Sequence, residues 1–130
     1  AVFEGVASSV RWLLEALEAS AGRPATGFSM AGGGAASDPW CQIRADMLGR
    51  PIRRLKTLDA GVLGAAILAG VGAGCFPSID AAASSLVVTD RLFEPDPSRR
   101  DRMDFLYGEY RALYAALKPL NAARAAISGW

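Results

Sequence analysis

Apolar residues recur at helical spacing through Val2, Val6, Val10, Leu13, Leu14 and Leu17, with Glu15 and Glu18 on another face. That period predicts an amphipathic helix ending toward Gly22. Pro24 breaks the chain, and Gly27-Phe-Ser-Met-Ala31 is a short apolar segment of the kind a buried strand shows. Ser37 or Asp38 can cap a second helix with Pro39 in its first turn. Trp40, Ile43, Met47 and Leu48 form its apolar stripe and Gly49 its end. Pro51-Ile-Arg-Arg-Leu55 reads as a second strand.

A third helix opens at Thr57 or Asp59 and runs through Ala69, its Gly61, Gly64, Ala65 and Ala69 leaving room for another helix to approach closely. The apolar stretch from Ala60 to Phe76 is shorter than the ~20 residues of a membrane span and reads as a buried helix followed by a loop. Ser78 can cap a short Ala-rich helix to about Ser85, and Val87-Val88 is a brief extended piece before the turn at Glu94-Pro-Asp-Pro97. The last helix begins near Ser98, carries Met103, Leu106, Tyr107, Tyr110, Leu113, Tyr114 and Leu117 at helical spacing, and is expected to stop at Pro119. Its tyrosine stripe reads as core or a domain-contact surface rather than a base-stacking platform.

Between the first strand and second helix lie Gly32, Gly33 and Gly34, then Ala35, Ala36 and Ser37. The pattern is a strand, a bare turn and a helix start. Without β-carbons such a turn can take positive φ and approach a ligand closely, and the following helix aims unpaired N–H groups and partial positive charge at the same spot. An anion or nucleotide fits there. No Lys-Ser or Lys-Thr closes the turn, which excludes a P-loop, and Ser37 takes the place of the third glycine of a dinucleotide fingerprint. From the residues alone, a ligand cradle and a tight strand-to-helix connection both remain open.

Composition narrows the picture elsewhere. A 130-residue chain with 52% apolar residues and a net charge of +1 is a single folded domain, with no reason in its charge to seek nucleic acid or an anionic membrane. Cys41 and Cys75 stand far apart with no histidine in the chain, so neither a zinc site nor a disulfide framework is suggested, and reduced thiols in the cytoplasm are the default. The basic group Arg44, Arg50, Arg53, Arg54 and Lys56 could face phosphates, but a charged, solvated sheet edge is the simpler reading. Ala1 leads straight into a helical pattern without an initiating Met or signal peptide, and the chain reads as a fragment.

The stretch Gly32-Gly-Gly-Ala-Ala-Ser-Asp-Pro-Trp-Cys-Gln-Ile-Arg-Ala-Asp-Met-Leu-Gly-Arg-Pro51, followed by Leu58-Asp-Ala-Gly-Val-Leu-Gly-Ala-Ala66, resembles the C-terminal part of FGGY-family carbohydrate kinases, in particular their xylulokinase-like branch. The likeness starts near Glu4-Gly-Val-Ala7 and continues into the helix from Tyr107 to Leu117. Two departures stand out: Ala36 where relatives usually carry Lys or Arg, and Asp59 where they usually carry Glu.

The resemblance implies an α/β fold, part of an actin-like ATPase (ribonuclease H-like) domain, helix-rich with a few short strands. It implies an ATP-dependent, Mg²⁺-requiring kinase that phosphorylates a sugar hydroxyl, with residues 1–130 as an incomplete, nucleotide-binding domain. On it, Gly32, Gly33, Gly34, Ala35 and Ser37 would hold ATP, Gly33 and Ser37 touching the adenosine part. Ser37 could instead serve only as a helix cap.

The catalytic Asp, sugar contacts and first phosphate loop of that family lie upstream of these residues, and neither Asp46 nor Asp59 suits the base, so the chain alone is expected to be inactive. Faces normally covered by the rest of the protein could pair copies into a homo-oligomer. The alternative is a helix-rich structural or interaction domain whose glycines form a plain turn.

Overall fold

The computed structural model describes residues 1–128. Helix α1 (Val2–Ala21) leads to strand β1 (Phe28–Met30), and a short 3-10 turn (Gly33–Ala36) precedes α2 (Asp38–Leu48). Strand β2 (Ile52–Leu55), helices α3 (Ala60–Gly72) and α4 (Ile79–Leu86), strand β3 (Thr89–Phe93) and the long α5 (Arg100–Ser128) follow. The three strands form one sheet in the order β1-β2-β3. β1 and β2 are parallel, with Phe28 opposite Ile52 and Met30 opposite Arg54, while β3 runs antiparallel to β2 with a register shift between Arg54 and Leu55.

The core lies where α2 is caught between α1, the sheet and α5. Met47 is fully buried beneath α1, whose Ala7 and Ser8 bring the helices close because both side chains are small. Ile52 and Phe93 close the sheet side, and Met103 and Tyr107 close the α5 side. Gly22 and Gly49 end α1 and α2 in left-handed conformation, φ 65° and 63°. A glycine meets that geometry without the Cβ penalty.

Several expectations change. β2 is the middle strand, so its arginines do not protect an edge; the charged edge is β3, through Asp90 and Arg91. That strand starts two residues later than the apolar Val87-Val88 pair suggested. Helix α3 is not buried: only Ile67 is fully covered, while Val62 and Leu68 are more than 60% exposed. A helix apolar on all sides needs cover on more than one face, and within this chain α3 packs chiefly on α4.

Its tight contact is also not where expected. A Cβ at Gly61 or Gly64 would meet open space, whereas one at Gly70 would press on the Phe76 ring at 3.0 Å. Pro119 does not stop α5. Proline removes the partner of the Ala115 carbonyl, but this part of the helix is solvent-exposed and water can replace the bond. The expected stripe on α5 divides likewise: Met103 and Tyr107 are buried, and Leu113, Tyr114 and Leu117 are exposed. No helix among the described residues is long and apolar enough to cross a membrane.

Candidate functional site

Because β1 and β2 are parallel and in register, the chain leaves both strands at the same end of the sheet. Ligands of α/β sheets bind outside the carboxyl ends of such strands. Two segments meet there: residues 31–37 after β1 and residues 56–59 after β2. They are joined by a hydrogen bond from the Gly32 N–H to the Leu58 carbonyl at 2.7 Å.

The turn is built from its backbone. Gly32 adopts φ 82° and ψ 175°, a region that only glycine occupies readily. Its carbonyl accepts from the Ala35 N–H at 2.9 Å, folding Gly33–Ala36 into a 3-10 turn. Ala35 is buried, and its carbonyl accepts from the Cys41 thiol at 3.4 Å. Ser37 then caps α2, its Oγ accepting from the Trp40 N–H at 3.4 Å.

The three glycines are there for different reasons. Only Gly32 has positive φ, so the strained conformation expected across the turn is confined to it. At Gly34 the constraint is space: an added Cβ would sit 2.8 Å from Nε1 of Trp40. Trp40 is nearly buried, with the Phe3 ring 4.8 Å away and the Arg44 guanidinium 4.4 Å from its ring centre. Gly33 answers to neither demand. Its φ is not positive and a Cβ there would touch nothing within 4 Å. Gly33 and Gly34 are exposed and open a helical turn, whose first N–H groups have no partner within it.

Beside the turn, Arg54 ties three elements together. It bonds Asp38 at the start of α2 at 2.5 Å and Asp90 of β3 at 2.6 Å, while Arg91 also pairs with Asp38. The hydrogen bonds that Arg54 donates to Asp90 first and to Asp38 second push its pKa up, so its charge is fixed. A cavity of about 280 Å³ opens between this network and the turn, lined by Ala36, Arg54, Leu55, Lys56, Leu58 and Asp90.

The basic group seen in the sequence is thus dispersed. Arg50 reaches back to the Ala25 carbonyl and to Glu18 at 2.9 Å, Arg44 lies on Trp40, and only Arg54 and Lys56 border the cavity. Cys41 is a core thiol, its pKa pushed up by burial, and Cys75 is exposed and distant in sequence.

One structural residue was set aside in the sequence as a poor base without its actual role being visible. The Asp46 carboxylate is fully buried, accepting from Gln42 Nε2 at 2.8 Å, from the Asp96 N–H at 2.9 Å and from Arg99 at 3.2 Å. It pins the loop between β3 and α5 to α2. Gln42 is a neighbour one turn back on α2, but Asp96 and Arg99 lie about fifty residues downstream, and no local pattern announces them. The Arg54–Asp90 pair is likewise long-range and was not foreseen.

Residues 1–73 match the model of the FGGY family of carbohydrate kinases, C-terminal domain. A xylulose kinase of Staphylococcus epidermidis is 34% identical over 122 residues, covering 94% of this chain and 24% of that protein. A crystal structure of a xylulose kinase from Brucella ovis superposes with a TM-score of 0.77 at 35% identity, covering 92% of this chain and 24% of that one. The crystal structure of Plasmodium falciparum glycerol kinase with ADP gives a TM-score of 0.70 at 25% identity, over 84% and 22% of the two chains. The chain spans about a quarter of the length of the curated relatives it matches.

Proposed function

Since this chain belongs to the FGGY family of carbohydrate kinases, as part of the C-terminal domain with its actin-like (ribonuclease H-like) ATPase fold, we propose that it is the nucleotide-binding portion of an ATP-dependent kinase acting on a sugar or polyol hydroxyl. The observation that carries this reading is Gly33. It sits at the carboxyl end of β1, exposed, in a conformation open to any residue and facing empty space. The fold does not require glycine there, but a ligand lying against the backbone would.

In this reading Gly32, Gly33, Gly34 and Ala35 bind adenosine or the nearest phosphate through main-chain groups. Ser37 contributes without abandoning its cap. A hydroxyl offers one proton and two lone pairs, and the Trp40 N–H uses one lone pair. The proton stays available to a ribose or base oxygen, so the two roles are compatible. Trp40 beneath Gly34 holds the turn at a fixed height.

ATP, when bound, supplies the phosphoryl group, and Mg²⁺ would arrive on its phosphates. Among the described residues no three His, Cys, Asp or Glu side chains gather to hold a metal. Asp46 is fully engaged by Gln42, Asp96 and Arg99 and is not free to serve as base. The base and most sugar contacts therefore belong to other parts of the enzyme, whose workplace is the cytoplasm, and these 130 residues alone should not phosphorylate a sugar.

Thermal unfolding with ADP tests the reading. In the full-length kinase, ADP at a hundred times its Kd should stabilise the nucleotide-binding portion by about 2.7 kcal/mol, and a Gly33→Val variant should lose most of that shift. A full ADP shift in a folded Gly33→Val protein would move the nucleotide elsewhere. No shift in the unaltered protein would favour the alternative, a helix-rich interaction domain.

A further inference from the structure

Lys56 is the first residue after β2, so it leaves the sheet at the same end as the glycine turn. The loop it enters is fixed at both sides. The Lys56 N–H bonds the Val88 carbonyl at 2.9 Å, and two residues on, the Leu58 carbonyl accepts from Gly32. Lys56 and Ala36, the residue just past the glycines, line one cavity of about 280 Å³.

The charges around that cavity single out Lys56. Arg54 and Arg91 are paired with Asp38 and Asp90, two cations against two anions, so the network is neutral as a whole. The Lys56 side chain is exposed and makes no ion pair among the described residues. Ala36 contributes only a methyl group, leaving open the space between the lysine and the turn. A lysine is a compact charge with three donors on a flexible four-carbon stem, suited to following an anion that a rigid backbone turn holds from the other side.

We infer that Lys56 is a ligand-contacting residue of the nucleotide site, its ammonium group engaging the phosphate chain while the turn at Gly32–Ala35 holds the adenosine. The inference rests on the nucleotide reading of the turn and adds the cation that reads the phosphates. Arg54 acts only indirectly, by holding Asp38 and Asp90 so that they do not capture the Lys56 ammonium.

Calorimetry on the full-length kinase with ADP and adenosine as probes tests this, with Lys56→Ala, Lys56→Glu and Lys56→Arg as variants. Lys56→Ala should weaken ADP about fivefold and Lys56→Glu about tenfold or more, Lys56→Arg should stay within about twofold, and adenosine should bind all four proteins alike. Raised salt should shrink the difference between the unaltered protein and Lys56→Ala. Because the side chain is exposed, unchanged unfolding midpoints are expected and separate binding from folding. Equal losses for ADP and adenosine, or an ADP affinity indifferent to charge reversal, would overturn the role of Lys56 alone. Failure of the unaltered protein to bind ADP would overturn the nucleotide reading, and this inference with it.

Discussion

Replacing each of the three glycines by alanine, one at a time, should separate folding from ligand binding within three consecutive residues. Gly34→Ala places a Cβ 2.8 Å from Nε1 and 3.0 Å from Cδ1 of Trp40, well inside van der Waals contact. The indole has little freedom to move, because it is 8% exposed and flanked by Phe3 and Arg44. Overpacking of this kind costs about 1–3 kcal/mol. Gly32→Ala meets no atom within 4 Å, but must hold φ 82° and ψ 175°, which costs a similar ~1–3 kcal/mol. Gly33→Ala has neither problem. It sits in a helical turn with open space, and reduced freedom of the unfolded chain should leave stability unchanged or higher by up to about 1 kcal/mol.

Nucleotide affinity should follow a different order. If ADP lies on the turn, the added methyl of Gly33→Ala enters its space and weakens binding while the protein becomes no less stable. Gly33→Val enlarges that loss. Urea unfolding and ADP calorimetry on the same full-length preparations give the two readouts independently. The reasoning fails if Gly33→Ala and Gly33→Val both keep the original ADP affinity, which would make the open glycine incidental. It also fails if Gly34→Ala keeps the original midpoint, since Trp40 would then be no fixed floor.

Ser37→Ala should lose about 0.5–1 kcal/mol of stability from the helix cap, its bond to Trp40 being long, and ADP affinity should fall as well; unchanged affinity would confine Ser37 to capping. Asp46→Asn, measured by urea unfolding, should cost on the order of 3 kcal/mol, because an amide nitrogen would replace an oxygen in a buried site ringed by donors from Gln42, Asp96 and Arg99; a loss below about 1 kcal/mol would show that site to be adaptable. For Tyr107, burial first and its hydrogen bond to Glu15 second push the pKa to about 12. The folded state then holds the phenol proton more tightly than the unfolded state, so this contribution is complete below about pH 10 and is lost as pH rises from there toward 12. Stability of the unaltered protein should therefore fall more steeply than that of Tyr107→Phe over that window; parallel curves would contradict the assignment.

What could be read from the sequence was local. Ser37 and Ser78 were recognisable as caps, and both accept the expected backbone N–H, from Trp40 and Ala81. The α2 stripe is buried at Trp40, Met47 and Leu48 because a spacing of three and four residues determines which side chains share a face. The errors arose where a partner decided the outcome. β2 looked like an edge because Arg53 and Arg54 are charged, yet Arg54 is balanced by Asp38 and Asp90, sixteen and thirty-six residues away. The extended piece was expected at the apolar Val87-Val88, whereas β3 runs through the charged Asp90 and Arg91, whose pairing with Arg54 and Asp38 is invisible in a local window. α3 was expected to be buried on its own apolarity, but burial depends on what lies opposite.

The glycine turn shows the same division within one motif. Its position between an apolar strand and a capped helix was legible. Which glycine does what was not, because the answer depends on a backbone angle at Gly32, on an indole beneath Gly34 and on emptiness around Gly33. Trp40 lies six residues beyond Gly34, on the first turn of α2, so the same helix start that caps itself through Ser37 also supplies the floor of the turn. A change that shifted the start of α2 would thus alter the cap and the floor together. Arg54 guards against that shift by holding Asp38, the first residue of α2, to the sheet. The site is consequently least tolerant where the chain looks most ordinary: at a helix start whose fixed position comes from a charged partner on β2, while the turn it supports carries almost no side chain of its own.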